Sequence, residues 1–279
     1  VTANYGGIDF LNDSTLLLGG LANQAGGVID RVTVTRDSHG NINGFGSVTQ
    51  FSTGPYIDGG LAFGPGGDLF FTEYPVNEIG EILPGSTSPA LTQSSDASNS
   101  VGTLAFIPAG FNGAGSLVIG SFGGGTFCAA SLTPDATVAG TYNIGNCNAS
   151  AINSTGGGPE GIIYVPQGSA DFTGQNALVS LYKDGEVGAY SIDASGLPIA
   201  SSFTPFITGL TGVEGAVIDP VTGDYLFSTF GGGSQIIEVQ GFAAPPPSTP
   251  EPGGFYLIVG GFTILLIRRR ARAASGTAS

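Results

Sequence analysis

One unit returns five times along this chain, and that repetition constrains its fold more than any other feature. Each copy opens with a short apolar segment, passes through a turn and enters a strongly apolar one. Gly6-Gly7-Ile8-Asp9-Phe10 leads to Leu16-Leu17-Leu18, and Gly59-Gly60-Leu61-Ala62-Phe63 leads to Leu69-Phe70-Phe71-Thr72. Gly102-Thr103-Leu104-Ala105-Phe106 leads to Leu117-Val118-Ile119, and Glu160-Gly161-Ile162-Ile163-Tyr164 to Leu178-Val179-Ser180. Glu214-Gly215-Ala216-Val217-Ile218 leads to Tyr225-Leu226-Phe227-Ser228. A second match fixes the phase, since Ser121-Phe122-Gly123-Gly124-Gly125-Thr126 recurs as Thr229-Phe230-Gly231-Gly232-Gly233-Ser234.

More alternating segments follow the apolar ones at Val28–Val34, Glu186–Ile192 and Gln235–Val239, as expected of strands with one buried face. Polar fourth strands are expected at Gly46–Phe51, Pro89–Gln93, Thr141–Ile144 and Ser202–Ile207. Four strands per unit of roughly 50 residues, grading from apolar to polar, predict an all-β propeller of five or six blades over residues 1–242. A sandwich would not repeat five times, and a solenoid needs shorter repeats. The fifth unit stops at Gly241 without a fourth strand, which Val1–Tyr5 could supply. The turn Asp219-Pro220-Val221-Thr222-Gly223-Asp224 before an apolar strand loosely resembles those of NHL-type and gluconolactonase-like propellers.

Charged residues make up only 10 % of the chain and 49 residues are Gly, which suits many turns and neither a coiled coil nor a helical bundle. All 21 acids lie in residues 1–251 against Arg31, Arg36 and Lys183, a net charge of −18. Such a surface repels phosphate backbones, so nucleic acid is excluded as a partner, while divalent cations are favoured. Cys128 and Cys147, the two cysteines, are expected to form a disulfide in an exported chain. The chain starts at Val1 with no leader segment, consistent with a removed signal peptide or a fragment.

Composition changes at Ala243. Residues 243–252 form a Pro-rich linker, and residues 253–279 begin with an uncharged run, Gly253 to Ile267, followed by Arg268, Arg269 and Arg270. Fifteen residues span about 22 Å as a helix, short for a membrane core. The Arg cluster nonetheless predicts a short transmembrane helix with its basic end inside. Pro250-Glu251-Pro252, the apolar span and the Arg cluster together resemble the PEP-CTERM sorting signal of Gram-negative bacteria. That resemblance implies an exosortase-type processing enzyme as partner and membrane anchoring before release to the surface or matrix. It also implies an exopolysaccharide neighbourhood.

Glu160 and Glu214 hold the same place in two units, just before the inner strand, and Asp58 lies one residue off in a third. Carboxylates converging on a propeller axis would suit Ca²⁺, and a Glu before an inner strand is what the gluconolactonase-like resemblance implies for a metal. They are expected to open onto the channel mouth. The corresponding positions Gly6 and Gly102 offer no ligand, which favours a binding module of unknown ligand over a metal-dependent hydrolase or lactonase. His39, the one histidine, lies in a polar turn with Asp37, Asn41 and Asn43, and no Glu follows to complete a Ca²⁺ loop. The Gly-rich runs have no Lys-Ser/Thr sequel and read as turns, not phosphate loops.

Overall fold

In the computed structural model, residues 1–147, 152–242, 258–260 and 262–268 are described, the last two segments and residue 152 by backbone alone. The body is a five-bladed β-propeller. Blade 1 comprises β1 (Ile8–Asn12), β2 (Thr15–Gly20), β3 (Val28–Arg36) and β4 (Ile42–Thr53); blade 2 comprises β5 (Ile57–Phe63), β6 (Leu69–Glu73), β7 (Glu78–Ile82) and β8 (Leu91–Ser94). Blade 3 has β9 (Val101–Phe106), β10 (Leu117–Ser121) and β11 (Thr126–Ala130), then the separate hairpin β12 (Leu132–Pro134) and β13 (Tyr142–Ile144), and closes with β14 (Ile152–Ser154). Blade 4 comprises β15 (Pro159–Val165), β16 (Asn176–Leu181), β17 (Glu186–Ser191) and β18 (Thr204–Thr208). Blade 5 has β19 (Val213–Ile218), β20 (Tyr225–Thr229) and β21 (Ile236–Gln240), and its sheet continues through β23 (Phe262–Arg268) to β22 (Ile258–Gly260).

The second strand of each blade is continuously apolar because both its faces are covered. Leu16 and Leu18 pack toward blade 5 with Val217, Leu226 and Ile236, while Leu17 between them packs toward blade 2 with Ile57, Leu61 and Phe71. The same division recurs at Phe70 against Leu69 and Phe71, and at Leu226 against Tyr225 and Phe227. Side chains alternate across a strand. One strand therefore feeds two inter-blade cores, and five such cores hold the ring together.

Two expectations about fourth strands are corrected. Thr141–Ile144 is not the outer strand of blade 3. It falls largely in β13, whose hairpin docks on blade 2: Gln93 Nε2 donates to Tyr142 O (2.6 Å), and Tyr142 N donates to Glu81 Oε2 (3.0 Å). The outer place goes to β14, beyond Cys147, and the disulfide joins Cys128 on β11 to the end of this excursion. Val1–Tyr5 is likewise not a strand. Tyr5 is buried in the core between blades 5 and 1, and Asn4 N donates to Ser234 Oγ at 2.8 Å.

The ring is shut by side chains instead. Arg36 of β3 grips Asp219, just after β19, through two hydrogen bonds of 2.7 and 2.9 Å, with the carboxylate fully buried. Ser228 Oγ donates to Gly6 O at 2.5 Å across the same junction.

The transmembrane helix expected over Gly253–Ile267 is also corrected. Its described residues are extended, and β23 runs parallel to β21 with Ile236 opposite Ile264. The physical reason is twofold. The segment is rich in Ile, Val, Phe and Thr, which favour strands, and β21 would otherwise present an unpaired edge. Among the described residues no helix is long and apolar enough to cross a membrane. Pro250, Glu251, Pro252, Arg269 and Arg270 lie outside the described residues, and Arg268 ends β23.

Candidate functional site

The five inner strands converge on the axis backbone to backbone, and glycine makes that approach possible. A Cβ on Gly59 would lie 2.1 Å from Glu160 O, one on Gly161 2.4 Å from Glu214 O, and one on Gly102 2.3 Å from Pro159 O. The Gly-rich opening of each repeat is thus an axial packing device. Pairing with the second strand is irregular at this end: the register shifts between Ile57 and Leu61, between Pro159 and Gly161, and between Val213 and Ala216. Such bulges re-aim side chains, which accounts for Asp58 reaching the same place as Glu160 and Glu214 from a position one residue earlier.

Carboxylate oxygens of Asp58, Glu160 and Glu214 all lie within 4.8 Å of one another. Contrary to expectation, they do not open onto the mouth, since each residue is only 1–2 % exposed. Asp58 and Glu160 are hydrogen-bonded to each other, and Asp58 also meets the Gly59 backbone and the Asn23 side chain. One oxygen of each residue, Asp58 Oδ2, Glu160 Oε2 and Glu214 Oε2, has no hydrogen-bond partner. Desolvation raises all three carboxyls well above the ordinary range; repulsion from neighbouring carboxylates adds to it at Glu160 and Glu214, while hydrogen bonds partly offset it at Asp58.

Above the triad lies a feature the sequence reading missed. The residue directly after the second strand is Leu21, Tyr74, Phe122, Tyr182 and Phe230 in blades 1 to 5, each half-buried. Because that strand runs antiparallel to the inner one, its end lies beside the inner strand's start, at the end where the triad sits. Four of these side chains form a chain of edge contacts: Tyr74 to Phe122 at 5.5 Å between ring centres, Phe122 to Tyr182 at 5.8 Å, and Tyr182 to Phe230 at 6.4 Å. The Tyr182 phenol is raised by desolvation first and then by the negative charges of Glu214, Glu160 and Asp58. A Cβ on Gly102 would meet both Glu160 Oε2 (3.0 Å) and Phe122 Cβ (3.1 Å), so collar and carboxylates are successive layers. The signal was present in the paired Ser-Phe-Gly-Gly-Gly and Thr-Phe-Gly-Gly-Gly segments, whose Phe residues are both collar members.

The remaining candidates stay apart from this site. His39 is exposed at the tip between β3 and β4, and Asp37 Oδ1 is engaged by the backbone N–H groups of His39 and Asn41. The Gly-rich runs are turns, with positive φ at Gly125, Gly156, Gly157, Gly158, Gly232 and Gly233.

No protein-family model and no curated protein sequence matches the chain. Solved structures with a similar course include a candidate 6-phosphogluconolactonase from Bacteroides fragilis, at 12 % identity and a TM-score of 0.48, covering 84 % of this chain and 66 % of that one. A candidate gluconolactonase is 17 % identical with a TM-score of 0.45, covering 84 % and 74 %. An auxiliary nutrient binding protein from Bacteroides thetaiotaomicron is 14 % identical with a TM-score of 0.42, covering 80 % of this chain and 56 % of that one.

Proposed function

We propose that this chain is an exported binding propeller that captures a positively charged group at its axis. The observation that carries the reading is the convergence of three buried carboxyls, one oxygen from each lying within 4.8 Å of the others. Buried charges without compensation are costly, and among the described residues no Lys, Arg or His reaches the triad to supply it. A bound cation would. Ca²⁺, a hard ion that takes oxygen ligands, is one such occupant, with Asp58, Glu160 and Glu214 as its carboxylates and Asn23 beside them. Binding is favoured over hydrolysis because the surroundings of the triad are glycine backbone and aromatic rings, with no histidine to move a proton. The Cys128–Cys147 disulfide supports an oxidising compartment outside the cytoplasm. The sorting reading of Pro250-Glu251-Pro252, with an exosortase-type enzyme and an exopolysaccharide setting, rests on sequence alone.

The test is thermal unfolding at pH 8 with CaCl₂ and, separately, with methylammonium chloride, for the wild type and the E160Q/E214Q double variant. At least one cation should raise the Tm of the wild type by several degrees and leave the variant unmoved. If neither cation distinguishes the two proteins, the axis is not a cation site.

A further inference from the structure

We infer that the cation is a primary alkylammonium group, its nitrogen seated on Asp58, Glu160 and Glu214 and its carbon chain held in the collar of Tyr74, Phe122, Tyr182 and Phe230. This deepens the reading of the axis as a cation site and rests on it.

The first ground is the number of acceptors. An –NH₃⁺ group carries three donors and no acceptor, and the triad offers three unpartnered oxygens. Charge-assisted N–H···O bonds of about 2.8 Å directed tetrahedrally put their acceptors about 4.6 Å apart, and one oxygen from each of the three carboxyls lies within 4.8 Å of the others. Ca²⁺ would require six to eight oxygens at about 2.4 Å. The layer above the three carboxyls is a collar of aromatic rings, which adds few oxygens to their own.

The collar supplies the second ground. Aromatic faces attract ammonium groups and cover alkyl chains. One ring of the collar already does so: Lys183, the sole lysine of the chain, places Nζ 4.4 Å from the centre of the Phe122 ring and donates to Phe122 O at 2.9 Å. An ammonium entering along the axis would meet equivalent rings from three other blades. The carboxylates are buried, but the rings above them are half-exposed and sit at turns, so rotation of ring side chains opens the route. The same chemistry is offered by a free amine and by a lysine side chain of another protein.

Isothermal titration at pH 7.5 tests this with four probes: n-butylammonium chloride, tetramethylammonium chloride, CaCl₂ and the peptide acetyl-Gly-Lys-Gly-amide. Butylammonium should bind saturably, and tetramethylammonium, which has no N–H to donate, at least tenfold more weakly. E160Q/E214Q should weaken butylammonium at least tenfold, as should E160Q alone if the double variant does not fold. F122A/F230A should weaken it at least fivefold while the Asp58, Glu160 and Glu214 carboxyls, followed by NMR titration, stay raised. A peptide that binds more tightly than butylammonium assigns a protein's lysine as the source; the reverse order assigns a free amine. Tetramethylammonium binding as tightly as butylammonium, or Ca²⁺ binding without it, overturns the inference and leaves the cation site standing. No binding by any probe overturns both.

Discussion

Raising the pH from 5 to 8 should destabilise the unliganded protein. In the folded chain Asp58 rises from 3.8 to about 8, and desolvation, its first cause, is joined at Glu160 and Glu214 by repulsion within the triad. Burial also lifts Asp9, Glu73, Glu81 and Glu238 to about 7 each. A carboxyl whose folded value is raised binds its proton more tightly in the native state. The resulting stability is fully present below the unfolded value near 4 and is lost as pH climbs through 7 and 8. For Asp58 alone the rise is about four pH units, of which about three are lost between pH 5 and 8, roughly 4 kcal/mol at about 1.4 kcal/mol each. In a domain this size that is a fall in Tm of roughly 8–16 °C. The assay is differential scanning calorimetry at pH 5, 6, 7 and 8 in a chelator, on the wild type and E160Q/E214Q. The variant keeps the hydrogen-bonding volume without the charge, so it should match the wild type at pH 5 and exceed its Tm at pH 8. A wild-type Tm that stays level or rises from pH 5 to 8, or a variant that is less stable at pH 8, would refute the reasoning.

Three further outcomes follow from packing and closure. Arg36→Ala should cost about 3–5 kcal/mol by leaving buried Asp219 uncompensated at the junction of blades 5 and 1, read as a lower urea midpoint. Gly59→Ala should cost about 1–3 kcal/mol, because its Cβ would lie 2.1 Å from Glu160 O, and should also displace Glu160 and so lower its raised pKa, seen by NMR titration. Replacing both Cys128 and Cys147 by Ala should cost about 3 kcal/mol for a loop of 19-residue separation, measured by guanidinium unfolding, and leave the axial site unchanged.

The five-fold repeat, the apolar second strands and the low charge were enough to reach a propeller, because a strand buried on both faces writes its environment into every residue. Cysteine count and compartment likewise reached the disulfide. Glu160 and Glu214 were visible as equivalent positions, but their burial was not, since alignment of repeats says nothing about how closely five backbones approach an axis. Asp58 looked one residue out of place until a register shift in β5 brought it to the triad. The collar escaped notice because a single ring after a strand has no periodicity, and only the closed circle of blades turns Tyr74, Phe122, Tyr182 and Phe230 into neighbours. The outer strand of blade 3 and the completion of blade 5 by β23 were decided in the same way. Hydrophobic pattern specifies which face of a strand is buried, whereas which edge it meets depends on partners distant in the chain, and those are settled when the ring closes.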